Sequence, residues 1–233
     1  MTERIVITGA NRGLGLELAR VYSARGDDVV GGCRRPDDAV ELRTLTSHVY
    51  RLDTGDEQSI ASFAASLGGQ RVDVLYNNAG VDGRSFGAPD GERDVLTLSA
   101  AHFEAEMRVN AVGPMLLARA LVPALRGAPR PRIVNVSSQI GSMVVSAAMG
   151  RDVGYAASKA ALNMISVKLA SRLEADKVTV IALHPGYLRT AIGSPHAPLA
   201  ASEAAVSIVA FVDSLSPAQS GGFFRWDGSE HPW

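Results

Sequence analysis

The sequence predicts an α/β fold in which a doubly wound parallel sheet of roughly seven strands carries helices on both faces. Short apolar segments alternate with helix-length segments along the chain. The apolar segments are too continuous for strands that face water on one side, which indicates burial on both faces. Hydrophobic residues make up 46% of the 233 residues and charged residues 20%, which is enough apolar surface for a full core. We therefore expect one domain over residues 1–233.

Strands and helices follow one another in the first half of the chain. The predicted strands are residues 4–8, 28–33, 49–52 and 72–76. The helix-length segments after them are residues 14–25, 37–46, 56–67 and 99–126. Each strand, helix and strand in this order makes one parallel crossover unit.

The second half continues the alternation, with strands at 132–136, 178–183 and 222–226 and helices at 155–174 and 202–215. Two segments interrupt it, residues 81–98 and 139–154. Loops of this length in a compact domain are commonly functional.

Charge and composition exclude several classes of protein. The net charge is -1, which argues against a nucleic-acid-binding surface. No apolar segment approaches the roughly 18 residues that span a bilayer, and the N-terminal residues lack the apolar region of a signal peptide. The single Cys33 cannot form an intrachain disulfide, and the five histidines lack metal-ligand spacing. We expect a cytoplasmic protein with no membrane, nucleic-acid or metal partner.

A glycine-rich turn, T-G-A-N-R-G-L-G at residues 8–15, joins the first strand to the first helix. Glycines let the backbone approach a pyrophosphate, and the N–H groups at a helix start attract its charge. The spacing departs from the common dinucleotide pattern G-x-G-x-x-G, so a plain tight turn is the alternative. The candidate cofactor-binding residues here are Gly9, Asn11, Arg12, Gly13, Leu14 and Gly15.

The end of the second strand carries arginine where an NAD site carries a carboxylate. The residues are Cys33-Arg34-Arg35. A guanidinium forms charge-assisted hydrogen bonds with a ribose 2'-phosphate, which a carboxylate would repel. Arg12 can reach the same phosphate. Together these arginines predict NADP(H) as the cofactor, with Arg34 as a contact.

Tyr155 and Lys159 lie four residues apart at the start of a predicted helix and therefore share one helix face. A nearby ammonium stabilises a phenolate and lowers the pKa of the phenol toward neutrality, which makes such a pair an acid–base device. Tyrosine and lysine also occur at this spacing by chance. The pair is informative only in combination with the other motifs.

Polar motifs follow the strand ends throughout the chain, at the sheet edge where ligands bind in open parallel sheets. Here the sequence resembles the short-chain dehydrogenase/reductase family. The motifs T-G-x-x-x-G-x-G, N-N-A-G, Y-x-x-x-K and P-G-x-x-x-T occur in the family's order over essentially the whole chain. The ending G-G-F-F-R-W-D-G at 221–228 resembles the carbonyl-reductase branch that includes sniffer and C-factor proteins.

The resemblance implies a Rossmann fold, an NADPH-dependent oxidoreductase that reduces a ketone or aldehyde or runs the reverse reaction, and a catalytic tetrad. In that tetrad Tyr155 would protonate the carbonyl oxygen, and Ser138 would hydrogen-bond to it. Lys159 would bind the nicotinamide ribose, and Asn110 would order a proton-relay water. The cofactor contacts implied outside the glycine turn are Asp53, Asn78, Ala79, Gly80, Tyr155, Lys159, Pro185, Gly186, Leu188 and Thr190.

The distance along the chain between Ser138 and Tyr155 exceeds the family's usual spacing, so the serine assignment has alternatives. Ser137 is adjacent, and Ser142 or Ser146 could reach the site if the loop folds back. The same loop carries Met143, Val144, Val145 and Met149, which together with Tyr187 predict an apolar substrate wall. That wall would favour apolar or aromatic carbonyl compounds; the alternative is that these residues only anchor the loop.

The helices that contain Asn110 and Tyr155 carry small or apolar residues, including Ala118, Ala161 and Met164. The family usually pairs these helices across a twofold axis, so we expect a homodimer. A competing hypothesis is a nucleotide-binding signalling or scaffold protein of the same fold without turnover. The intact tetrad argues against it, because a pure binding protein needs no acid–base pair.

Overall fold

The computed structural model describes residues 2–89 and 93–233. In this part of the chain, parallel strands form one sheet in the order β3-β2-β1-β4-β5-β6-β7. The chain moves outward from β1 in one direction and then returns to β4 on its other side, so the β1/β4 boundary is the switch point of a Rossmann fold. The strands are β1 Arg4–Thr8, β2 Asp28–Cys33, β3 Val49–Arg51, β4 Val74–Asn77, β5 Arg132–Val136, β6 Thr179–His184 and β7 Phe223–Arg225.

Helices cover both faces of the sheet. They are α1 Gly13–Arg25, α2 Val40–Leu45, α3 Glu57–Ser66, α4 Ala100–Met107, α5 Gly113–Leu125, α6 Met143–Ser146, α7 Val153–Leu173 and α8 Ala201–Ser214. Short 3-10 turns lie at Gly83–Phe86, Gln139–Gly141 and Pro217–Gln219.

Two apolar layers form the core, one on each face of the sheet. Ile5 and Ile7 of β1 point to the layer under α1, α2 and α8, while Val6 between them points to the layer under α3, α5 and α7. This alternation is the period of two that a strand imposes on its side chains. Strands buried on both faces explain the continuous apolar segments from which the sheet was predicted.

The predicted strands and their parallel arrangement are confirmed, and three helical segments differ in detail. The helix expected at 37–46 covers only Val40–Leu45, and the helix expected from residue 155 begins at Val153. The helix expected at 99–126 contains a π-turn at Arg108–Val112 between α4 and α5. Pro114 follows that turn and has no N–H to donate to the carbonyl of Asn110, which disfavours regular α-helical bonding there.

The two predicted long loops contain short helical turns. Ser138 and Ser142 each accept a hydrogen bond from a backbone N–H two or three residues later, which starts a 3-10 turn and then α6. The loop expected at 81–98 contains the 3-10 turn Gly83–Phe86. Its residues 90–92 lie outside the described residues.

Candidate active site

A cleft of about 1550 Å³ opens at the carboxyl-terminal edge of the sheet. Most of the residues predicted to bind cofactor or catalyse come together in its lining. These are Gly9, Asn11, Arg12, Gly13, Leu14, Arg34, Asp53, Asn78, Ala79, Gly80, Ser138, Tyr155, Lys159, Pro185, Gly186, Leu188 and Thr190. Motifs spread over the whole sequence are thus brought to one site by the parallel topology.

Two predicted site residues, Gly15 and Asn110, lie behind the cleft surface. A Cβ atom on Gly15 would lie 2.4 Å from the carbonyl oxygen of Gly9, so this glycine permits the close turn rather than contacting a ligand. The fully buried Asn110 donates from Nδ2 to the carbonyl of Val81 (2.8 Å) and accepts at Oδ1 from the Val81 N–H (2.9 Å). Its side chain therefore fixes Val81, which lines the cleft.

The glycine turn has the backbone geometry that a pyrophosphate requires. Gly9 and Gly13 adopt positive φ angles of 64° and 54°, a region that favours glycine. The residue before α1, Arg12, makes no side-chain capping bond, and the first turn of α1 carries no acidic residue. The N-terminal end of α1 is therefore suited to an anion, and the residues present fit a dinucleotide.

Arginines surround the part of the cleft formed by the ends of β2 and β3. Arg12, Arg34, Arg35 and Arg51 line it. Arg51 was not predicted from the sequence, but its place follows from the sheet register, in which it pairs with Cys33. This concentration of positive charge suits a phosphate on the ribose.

Tyr155, Ser138 and Lys159 meet at the other end of the cleft. The side chains of Tyr155 and Ser138 both line this part of the cleft, and the Ser138 hydroxyl lowers the pKa of the phenol. Lys159 Nζ lies 5.5 Å from the centroid of the Tyr155 ring and donates to the carbonyl of Val136 at 2.8 Å. A hydroxyl, a phenol and an amine therefore lie in one part of the cleft lining.

Burial controls the ionisation of both titratable groups. It raises the pKa of Tyr155 above its ordinary value, with a further increase from the carboxylate of Asp82, whereas the Ser138 hydroxyl lowers it. Burial also lowers the pKa of Lys159 to about 8. Burial and nearby carboxylates thus raise the pKa of the phenol, and a lowering of that pKa by the lysine stays a prediction.

The structure distinguishes Ser138 from the alternative serines. The Ser137 hydroxyl lies 2.6 Å from Oδ1 of Asn163 and is buried against α7. Ser142 caps α6, and Ser146 donates back to the Ser142 carbonyl (2.6 Å). Ser138 is the one of these four serines whose hydroxyl lowers the pKa of the Tyr155 phenol.

His184 holds the turn that follows Ser138. The N–H of Gln139 donates to Nδ1 of His184 at 3.2 Å. Burial, with the neighbouring His231, lowers the pKa of His184 to about 4, which keeps the ring neutral and able to accept this bond.

The predicted apolar wall of Met143, Val144, Val145 and Met149 is wrong. None of these residues lines the cleft, and Met143 and Val144 are 77% and 71% exposed. The N–H of Val144 donates to the carbonyl of Trp233 (3.2 Å), which holds the segment against the C-terminal residues and away from Tyr155. Only Tyr187 of the proposed set lines the cleft.

The wall near Tyr155 instead combines aromatic and charged side chains. Phe86 and Tyr187 supply aromatic surface, and the charged residues are Asp82, Arg84, Arg93, Arg151 and Asp152. Arg84 binds the carboxylate of Asp82 (2.6 Å) and the carbonyl of Ile192, and so connects two segments of the cleft wall. Asp82, Arg84, Phe86 and Arg93 lie in the irregular segment between β4 and α4, and Arg151 and Asp152 precede α7. No sequence motif marked these six residues.

The family model for short chain dehydrogenase matches residues 3–198. The chain belongs to the short chain dehydrogenase family. The protein named C-signal from Myxococcus xanthus is 34% identical over 172 residues, which cover 74% of this chain and 99% of that protein. An uncharacterized oxidoreductase of Schizosaccharomyces pombe is 30% identical over 252 residues, which cover 97% of this chain and 96% of that protein.

Solved structures of carbonyl reductases share the fold of this short chain dehydrogenase. The NADPH-bound carbonyl reductase from chicken fatty liver superposes with a TM-score of 0.89 at 28% identity, covering 100% of this chain and 99% of that one. Carbonyl reductase Sniffer of D. melanogaster gives a TM-score of 0.87 at 28% identity with both chains fully covered. The chain is an oxidoreductase of this family.

Within the residues that the structure describes, this dehydrogenase contains no helix long and apolar enough to cross a membrane. The same residues contain no group of three or more His, Cys, Asp or Glu side chains positioned to hold a metal ion.

Proposed function

We propose that this protein is an NADPH-dependent carbonyl reductase that uses Tyr155 as its general acid. The observation that carries the proposal is that Tyr155, Ser138 and Lys159 lie together in the same cleft as the glycine turn and the arginines. The neighbouring carbonyl reductase structures, one of them described as NADPH-bound, support it.

The chain's own residues fit each part of the cofactor. The N-terminal end of α1 and its glycine turn would hold the pyrophosphate. Arg34 and Arg12 would bind the 2'-phosphate, since Arg34 is exposed in the cleft. Asp53, Asn78 and the segment 185–190 would line the adenosine and nicotinamide portions.

The proton chemistry follows from the environment of Tyr155. NADPH, when bound, would supply the hydride for the carbonyl carbon. Because the pKa of Tyr155 is raised by burial, the phenol is protonated at neutral pH and donates its proton to the carbonyl oxygen. Ser138 hydrogen-bonds to that oxygen and orients it, while Lys159 binds the ribose and adds positive charge.

Asn110 acts from behind the reacting groups. Its amide fixes both backbone groups of Val81 and also bonds Ser158 of the catalytic helix at 3.0 Å. We infer that Asn110 keeps α7 and the cleft wall in register, and that it orders a relay water from this position.

The assembly and location also belong to the proposal. Val112, Met115 and Met164 expose apolar surface on the helices expected to pair, with Met164 57% exposed. We propose a homodimer through this surface.

The free Cys33 fits a reducing compartment, and we propose a cytoplasmic location.

One observation favours a second candidate, a signalling protein of the same fold. It is the 34% identity with the protein named C-signal. The acid–base residues of this chain are complete, which a binding protein would not require.

Turnover separates the two candidates. Purified protein is mixed with NADPH and a panel of aldehydes and ketones, and the nicotinamide absorbance is followed. We expect substrate-dependent oxidation of NADPH with at least one carbonyl class. Tight NADPH binding without turnover on any member of the panel would favour the signalling candidate.

A further inference from the structure

A buried carboxyl group lies directly beneath the start of the helix that carries Tyr155. Glu106 of α4 is only 2% exposed. A Cβ atom on Gly154 would lie 1.9 Å from Glu106 Oε2, so the carboxyl occupies the space next to the backbone of Gly154. Residue 154 precedes Tyr155, and any side chain there would displace the carboxyl.

Glu106 also joins the segment that forms the substrate side of the cleft. Gly83 lies in that segment, and its backbone N–H lowers the pKa of the Glu106 carboxyl. A Cβ atom on Gly83 would lie 3.0 Å from Cδ of Arg93, so Arg93 packs closely over this glycine. The carboxyl thus lies against the start of the catalytic helix and is influenced by the segment that forms the cleft wall.

The first turn of α7 depends on this neighbourhood, because it lacks a side-chain cap. Asp152, at the N-cap position, has a left-handed backbone (φ 58°, ψ 36°) and makes no capping bond. Arg93 holds it from outside, with Nη1 3.0 Å from Asp152 Oδ1 and its carbonyl accepting from the Val153 N–H at 3.2 Å. A left-handed conformation is costly for a non-glycine residue and persists because its surroundings fix it.

We propose that Glu106 is a positioning residue for Tyr155: its buried carboxyl supports the first turn of α7 and, when ionised, keeps the phenol in its proton-donating form. This inference rests on the proposed reductase function. Glu106 does not touch substrate or cofactor, because it lies behind the cleft lining.

The charges around Glu106 make its ionisation sensitive to pH near neutrality. Burial raises the pKa of Glu106 to about 7, with further increases from Asp82 and Asp152, while Arg93 and the Gly83 N–H lower it. At the start of α7 the groups that interact with its charge are Asp152 and Tyr155, and in the segment before α4 they are Asp82 and Arg93. Arg84 is paired with Asp82. Arg108 of the π-turn is directed elsewhere, toward Gly55.

The negative charge of Glu106 acts on the phenol through space. Together with Asp82 it contributes to the raised pKa of Tyr155. A neutral side chain at 106 should therefore make the phenolate easier to form. Alcohol oxidation needs the phenolate as base, so its pH dependence reports this effect directly.

Glu106→Gln tests the inference, with Glu104→Gln as the matched control because Glu104 is exposed on the same helix. In Glu106→Gln, we expect the pH midpoint of kcat/KM for alcohol oxidation to move down by about one unit, which is a tenfold change in proton activity. In Glu104→Gln the midpoint should not move. The Kd for NADP⁺ should stay within about twofold. An unchanged midpoint in folded Glu106→Gln protein would overturn the proposal, and Glu106→Met provides the same comparison if the glutamine variant does not fold.

A second readout needs no turnover. The pKa of Glu106 is higher in the folded protein than its ordinary value of 4.5, so its ionisation costs stability, which is lost as pH rises through the folded value. The Tm of Glu106→Gln minus that of the native protein should therefore increase between about pH 5 and pH 8. A Tm difference that does not vary with pH would contradict the proposal that Glu106 ionises near neutral pH in the folded protein. A native protein that reduces no carbonyl compound would instead refute the proposed reductase function.

Discussion

At the residue scale, adjacent serines at the end of β5 have different environments. Ser138 lines the cleft together with Tyr155 and lowers the pKa of its phenol. The Ser137 hydroxyl donates to Asn163 inside the packing of α7 against the sheet. Successive side chains of an extended segment point to opposite sides, which explains the division. Mutation of Ser138 should therefore affect catalysis, and mutation of Ser137 should affect stability.

Ser138→Ala should reduce kcat/KM by about 100-fold or more while leaving Tm nearly unchanged. Ser137→Ala should leave kcat/KM nearly unchanged and lower the free energy of unfolding by about 1–3 kcal/mol, because it leaves the buried Asn163 Oδ1 without its partner. Steady-state kinetics and denaturant unfolding of both variants check this. Equal loss of activity in both would contradict the assignment of Ser138.

Cofactor preference is also decided by single residues. We expect the native protein to bind NADPH at least tenfold more tightly than NADH, which corresponds to about 1.4 kcal/mol. Arg34→Asp should remove that preference, since a carboxylate repels the 2'-phosphate. Arg119→Asp, which changes the charge equally on α5 outside the cleft lining, is the control for the two Kd measurements. An Arg34→Asp variant that still binds NADPH tenfold more tightly than NADH would exclude Arg34 as the residue that selects the 2'-phosphate.

Local spacing made Tyr155, Lys159 and the glycine turn predictable, because one helix face or one turn brings those residues together. Glu106, Arg84 and Arg93 could not be predicted in this way. Their partners Gly154, Ile192 and Asp152 lie far along the chain, and only tertiary packing brings them into contact.

At the element scale, the junction of α4, the π-turn and α5 fits closely against the end of β3. A Cβ atom on Gly113 would lie 2.1 Å from the backbone carbonyl oxygen of Thr54. A backbone atom cannot move aside as a flexible side chain can. Thr54 in turn lines the cleft, so this contact links the start of α5 to the site.

Gly113→Ala should therefore destabilise the protein by about 1–3 kcal/mol or more. Gly127→Ala is the matched control, because the nearest atom to its Cβ would be 3.4 Å away. Thermal or denaturant unfolding of the two variants measures the difference. Equal stability of both variants would show that α5 can shift away from Thr54.

Periodicity and apolar content predicted the long elements well, because the sheet buries strands on both faces. They gave a wrong prediction for the segment after Ser138. Its apolar composition suggested a wall of the substrate site, but the side chains of Met143 and Val144 are exposed to solvent. Its direction is set by the hydrogen bond of Val144 with the carbonyl of Trp233, a contact between distant parts of the sequence.

At the scale of the whole molecule, polar side chains cross the centre of the sheet. Asn77 of β4 donates to Asn135 of β5 at 2.8 Å, and Asn135 donates to Ser166 of α7 at 2.8 Å. Such a buried network, with partners on three elements, aligns the catalytic helix with the strands that form the cleft. The outer face of α5 and α7 is left with the exposed apolar side chains of Met115 and Met164.

We expect the protein to sediment as a dimer at micromolar concentration, because pairing would cover this apolar face. Met164→Lys should produce monomers. Met143→Lys makes the same change at another exposed methionine and should remain dimeric. A native protein that sediments only as a monomer would contradict the proposed assembly.

The most direct test of Tyr155 as the general acid compares native protein with Tyr155→Phe for NADPH oxidation by the best carbonyl substrate. The phenylalanine keeps the ring but removes the proton donor. Turnover should fall at least 100-fold while the Kd for NADPH remains within about twofold. A variant that binds NADPH normally and retains more than about a tenth of native turnover would contradict the mechanism.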